Sequence, residues 1–241
     1  TKVEKEVAET NQNASMHKNA KSAKDEEKLK KWTTDFNHFT SKEKKVILAD
    51  SLANLYTRLF EFDSAAKYFE QQVFLISTET NKLKAALGLY QAFKVSMNPI
   101  DRKKIGLKAL AYIDEILATR SNWVDLKVKK AVIKVYTETP PMGGINMLKE
   151  IIAENPNHIE ARLTLGEFML TVKKVEKAIE QFEAVVTVES DNEKALLYLI
   201  DCYQSTQNMA KAIQYLNKLE SLNIQDSYIK SVIEKKRKEL N

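Results

Sequence analysis

Residues 159–192 read IEARLTLGEFMLTVKKVEKAIEQFEAVVTVESDN, and this stretch decides the fold. Leu165-Gly166 sets an apolar residue beside a small one. Ala178 follows Gly166 by 12 residues, Phe182 by 16 and Val185 by 19. Thirty-four residues on, Leu199-Ile200 is followed at the same offsets by Ala212, Leu216 and Leu219. Thirty-four residues back, Ala131-Val132 is followed by Gly144, Leu148 and Ile151, and that unit closes on Asn155-Pro156. Three successive units at one period signal stacked supersecondary units, each with an apolar face it cannot bury alone.

Two less regular units precede them. Leu52-Ala53, Tyr56, Ala65 and Phe69 fit the template directly. Leu87-Gly88 opens another unit, but Ala109, Ile113 and Ile116 come about nine residues late. The extra residues lie around Ser96-Met97-Asn98-Pro99, as a longer turn or a helix extension. Ahead of the repeats, Leu29, Trp32, Phe36 and Phe39 share one helical face, which predicts an amphipathic helix over 25–39 docking on the next unit. Ser41 is a candidate N-cap for the helix that follows. Residues 1–24 are polar and carry almost no large apolar side chain, so they read as a flexible or weakly helical tail.

Composition agrees. Of 241 residues only 5 are Gly and 4 Pro, too few corners for a sandwich, a propeller or a Gly-rich nucleotide-binding sheet, while 44% are hydrophobic, enough for a core. The net charge of +5 is uneven. Residues 1–45 and 227–241 each carry +3, and 46–226 carries 22 Lys/Arg against 23 Asp/Glu. Basic ends on a neutral body argue against specific nucleic-acid binding, which wants one concentrated basic face. No stretch nears the roughly 18 apolar residues of a bilayer span. The chain starts at Thr1 rather than Met, so a signal or anchor ahead of it would lie outside this sequence. The polar tail suits a tether beyond such a segment, and this favours the cell envelope over the cytoplasm and allows membrane association through that segment.

The 34-residue unit, with Leu165, Gly166, Ala178, Phe182 and Val185 in its best copy and Asn155-Pro156-Asn157 just before it, resembles the tetratricopeptide repeat family, in particular its bacterial multi-repeat members. The family's Trp is missing at its usual place, where Arg162, Leu196 and Val128 stand, and Ser190 and Ser121 replace the unit-end Pro. The resemblance implies an all-α, right-handed α-solenoid of about five helix-turn-helix repeats, at about 46–79, 81–123, 125–158, 159–192 and 193–226. Helices over 25–45 and 227–241 would cap its ends, with Asp226 as N-cap of the last.

No catalytic site is expected. Gly-x-Gly-x-x-Gly, phosphate-loop, His-Glu-x-x-His and Gly-x-Ser-x-Gly motifs are all missing from the sequence. Cys202, His17, His38 and His158 have no metal-ligand spacing, and no cofactor is expected. Asp114-Glu115 and Asp25-Glu26-Glu27 read as solvated faces. Pro140-Pro141-Met142-Gly143-Gly144 reads as the turn of the third repeat, with Gly143 supplying turn freedom and Gly144 at the helix crossing.

In the family, the first helix of each unit lines a concave groove. Carried over by position, the peptide-groove candidates are Asn54, Arg58, Phe93, Lys129, Lys130, Ile133, Tyr136, Leu163, Glu167, Leu197, Tyr198 and Asp201, with Asp50, Leu89 and Thr164 beside them. Asp50 and Ala86 stand where the subclass that clamps chaperone C-terminal carboxylates needs a Lys and an Asn, which argues against that clamp. Aromatic and aliphatic residues mixed with charges suit an extended or helical peptide with apolar anchors. The functional expectation is a non-enzymatic scaffold, a monomer or weak homo-oligomer, that holds a protein or peptide partner in its groove. The alternative expectation is a binder of polyanions or of an anionic membrane surface through its basic ends.

Overall fold

The structure, a computed structural model, describes residues 21–222 and 224–240. These form twelve α-helices and no strand. The expected tail therefore lies, over residues 1–20 and with His17, outside the described residues. The chain divides into two compact units, Thr1–Thr139 and Pro140–Asn241.

The first unit holds α1 (Ala23–His38), α2 (Lys42–Arg58), α3 (Phe62–Leu75), α4 (Glu79–Val95), α5 (Pro99–Thr119) and α6 (Val124–Thr137). Each helix packs on the next, and α4 also touches α6. The second unit holds α7 (Met142–Glu154), α8 (Ile159–Thr171), α9 (Val175–Val188), α10 (Glu193–Ser205), α11 (Met209–Ser221) and α12 (Ser227–Leu240), again packed in sequence order. Each unit is thus a run of helical hairpins of the α-solenoid class, in which a helix meets mainly its neighbours in the chain.

Local chemistry sets the helix ends. Ser22, Ser41, Thr78, Asn192 and Asn208 each accept a hydrogen bond from the backbone N–H three residues on, satisfying a donor the first turn leaves open. Asp226 takes the same role for Tyr228 and Ile229. His158 caps α8 through Nδ1, 3.4 Å from the Ala161 amide. Asn98 caps α5, with Pro99 preset in its first turn. The extra residues of the second repeat are a helix extension, since α5 runs for 21 residues. One expectation fails: no described glycine has positive φ, and Gly143 sits inside α7 rather than supplying a turn. The left-handed turn positions are instead Phe60, Lys173 and Gln207, where α2, α8 and α10 hand over to their successors. Lys173 and Gln207 stand one repeat period apart, so the same turn recurs.

The template residues form the cores. Ala53, Ala109, Ala131, Ala178 and Ala212 are all fully buried, as small residues at close helix crossings must be. Phe182, Val185, Leu199, Ile200, Leu216 and Leu219 fill the second unit without exposure. A Cβ on Gly166 would lie 2.6 Å from the Phe182 ring, so the bare backbone of α8 is what lets that ring seat on it. The face Leu29, Trp32 and Phe36 of α1 packs on Leu52, Leu55 and Leu59, and Phe36 meets the Tyr68 ring edge-on at 5.7 Å. Phe39, expected on that face, stays partly exposed.

Candidate functional site

In the first unit, α2 and α4 lie side by side with α3 beneath them, leaving a cleft of about 210 Å³. Phe62, Ala65 and Phe69 of α3 floor it, and Asn54 and Thr57 of α2 face Lys84, Leu87 and Gln91 of α4. Gly88 borders the cleft, and a Cβ there would come within 2.5 Å of Phe69, so the ring lies against bare α4 backbone. Leu87 is the template residue that the core does not take in, and it borders the opening. At one end Asp50 accepts from Asn54 (3.1 Å) and from fully buried Gln72 (3.2 Å), and it pairs with Lys84, one repeat period later. The result is an apolar trough edged by amides, a hydroxyl and a fixed ion pair. Such a trough can take an apolar side chain while hydrogen-bonding the backbone that carries it.

The expected groove residues separate into three kinds. Asn54 lines the cleft. Phe93 and Ile133 are fully buried, and Leu89 and Thr164 nearly so; they belong to the core and line no open surface. Phe93 and Ile133 lie about 3 Å from where a Cβ on Gly106 of α5 would stand, so they pack where α4, α5 and α6 cross, and Thr164 bonds back to the Glu160 carbonyl within α8. The rest lie at half-buried or exposed positions already joined to neighbours. Arg58 pairs with Asp25 of α1, and Lys130 with Asp114 at 2.5 Å. Glu167 pairs with Lys194 and Asp201 with Lys236, each at 2.5 Å. Tyr198 stacks on Phe182 at 4.7 Å, and Leu163 and Leu197 pack against the core of the second unit. Lys129 lies over the Tyr90 ring and Tyr136 meets Phe93. Sequence reading missed Thr57, Phe62, Lys84, Leu87, Gly88 and Gln91. The 34-residue offsets Asp50 to Lys84 and Thr57 to Gln91 carried the signal for two of them.

A second convergence lies in the second unit. Glu183 of α9 accepts from the Tyr203 hydroxyl at 2.5 Å and from Lys211 and Tyr215 at 3.3 Å, and Lys211 donates to the Tyr203 oxygen at 2.8 Å. The two tyrosine rings stack at 5.8 Å. Burial pushes the Glu183 carboxyl up, but the hydroxyls and the ammonium outweigh it and hold it below its ordinary 4.5. Hydrogen bonds to Tyr203 and Glu183 push Lys211 up to about 12, and burial with the nearby Glu183 charge does the same to Tyr215. Every member is already bonded to another, so the cluster ties α9, α10 and α11 together. A carboxyl lowered on folding adds stability above its unfolded pKa and loses it as pH falls, so this tie weakens below about pH 4.5. The lysine and tyrosine are raised, so their share is lost as pH climbs from about 10 toward 12. Glu183→Gln is expected to lower stability at pH 7 by about 1 kcal/mol, given partial exposure. Thermal melts from pH 7 to pH 3 check this: the gap to wild type narrows below pH 4.5.

Among the described residues no group of three or more His, Cys, Asp or Glu is placed to hold a metal ion, and no helix is long and apolar enough to cross a membrane. Burial pushes the Cys202 thiol up to about 12, far from a nucleophile's range. At the basic C-terminal end, Lys236 pairs with Asp201, and Arg237 with Glu220 at 2.5 Å.

A tetratricopeptide repeat profile matches residues 172–235. Anaphase-promoting complex subunit 7 of Mus musculus is 28% identical over 89 residues, which are 37% of this chain but only 15% of that protein. Among solved structures, a tetratricopeptide repeat protein of Parabacteroides merdae superposes with a TM-score of 0.64 at 16% identity, over 89% of this chain and 78% of its own. TTC0263, a thermophilic TPR protein of Thermus thermophilus, gives 0.58 at 16% identity, over 80% and 98%. Pseudomonas aeruginosa pilF gives 0.55 at 15% identity, over 83% and 90%. At these identities the structures speak for the fold alone. The matching profile makes residues 172–235 similar to tetratricopeptide repeats, and the 34-residue period and the hairpin stack are those of the α-solenoid fold that these structures share.

Proposed function

We propose that this protein is a non-catalytic scaffold that binds a peptide or protein segment along the face made by α2 and α4. The family's fold suggests protein–protein interaction in general. The finer reading rests on the cleft beside Gly88, where an apolar floor is edged by Asn54, Thr57 and Gln91 and a large side chain has room to enter. Peptide-display selection on the full chain tests it. Peptides enriched on the wild type are expected to lose at least tenfold in affinity on an Asn54→Trp/Gln91→Trp variant, whose indoles fill the trough from exposed positions. Unchanged binding to that variant, with its fold verified by circular dichroism, overturns the reading.

A further inference from the structure

The cleft between α2 and α4 fixes which hydrogen-bonding groups meet an occupant. Asp50 accepts from Nδ2 of Asn54 at 3.1 Å, so the Asn54 amide is turned with its Oδ1 away from that carboxylate. One turn further along α2, the Thr57 hydroxyl donates to the Ala53 carbonyl at 2.9 Å. That bond spends its single proton and leaves its oxygen an acceptor. Asn54 and Thr57 both line the cleft, so its α2 edge offers acceptors. Among the described residues that line it, only Lys84 is charged, and Asp50 meets that charge. The floor is aromatic: Phe62 and Phe69 lie in it, and the partly exposed Phe60 ring meets Phe62 edge-on at 6.0 Å. Such ring faces attract the positive edge of a second ring, a gain beyond the area buried.

We propose that the cleft selects an uncharged aromatic side chain tipped with a hydrogen-bond donor, the indole N–H of tryptophan or the hydroxyl of tyrosine. The inference deepens the scaffold reading and rests on it, since both use the α2–α4 cleft. The ring lies on Phe62 and Phe69 while its N–H or O–H donates to Asn54 Oδ1 or Thr57 Oγ1. Leucine and phenylalanine bring no donor to those oxygens, and a carboxylate sets acceptor against acceptor. The test is amide chemical-shift titration of the full chain with N-acetyltryptophanamide and N-acetyltyrosinamide. Their phenylalanine, leucine, lysine and glutamate counterparts and the 1-methylindole form of the first, which has no N–H, serve as comparisons. The tryptophan and tyrosine amides are expected to shift residues 54–57 and 87–91 and to bind about threefold or more tightly than the rest, the scale of one net hydrogen bond. In Asn54→Leu/Thr57→Val the tryptophan amide falls to the level of the phenylalanine amide, whose own affinity changes less than about twofold. Equal binding of the 1-methylindole form, tighter binding of the leucine or lysine amide, an undiminished tryptophan preference in that variant, or no shift at the cleft with any probe overturns the inference. If display-selected peptides still lose affinity on Asn54→Trp/Gln91→Trp, only this class of anchor falls; if they do not, the scaffold reading falls with it.

Discussion

Phe182→Ala is expected to destabilise the second unit by about 3–5 kcal/mol, the cost of an aromatic deletion that leaves a cavity. Phe182 is fully buried, with the glycine backbone of α8 on one side and the Tyr198 ring stacked at 4.7 Å on the other. No neighbour can collapse into the space, because the helix backbone at Gly166 has no side chain to extend into it. Tyr198 also loses its stacking partner, at a further cost of about 0.5–1.5 kcal/mol. Chemical denaturation followed by circular dichroism checks the loss. A change below about 1 kcal/mol would mean that Phe182 does not seat between α8 and α10.

Phe93→Ala is the second large effect, again about 3–5 kcal/mol, now in the first unit. The reason differs. Phe93 sits at 0% exposure under Arg102 and against Tyr90 and Tyr136, so its removal also takes away the surface over which Arg102 is held. Its template place suggested a ligand-facing side chain. A binding residue would cost affinity and leave stability intact, while Phe93 costs stability first. Denaturation and peptide titration on one sample separate the two outcomes.

The period from Leu52 to Leu219 is legible because each unit buries the same positions, so burial writes itself into spacing. Ser41 and Asp226 were legible as caps because a short polar side chain just before an apolar run has a single structural use. The groove was less so. Position within a repeat says which helix a residue is on, but the rotation of that helix decides whether the side chain meets solvent or core. Phe93 and Ile133 turn inward, whereas Asn54 turns out. Gly88 gave no warning that it borders a cleft, since that depends on where the Phe69 ring lands.

Scaffolding by the α2–α4 face is tested most directly by amide chemical-shift mapping of the full chain with a display-selected peptide. The expected result is shifts concentrated at residues 50–58 and 84–91, absent in the Asn54→Trp/Gln91→Trp variant. Shifts confined to other helices, or the same shifts in that variant, would contradict it.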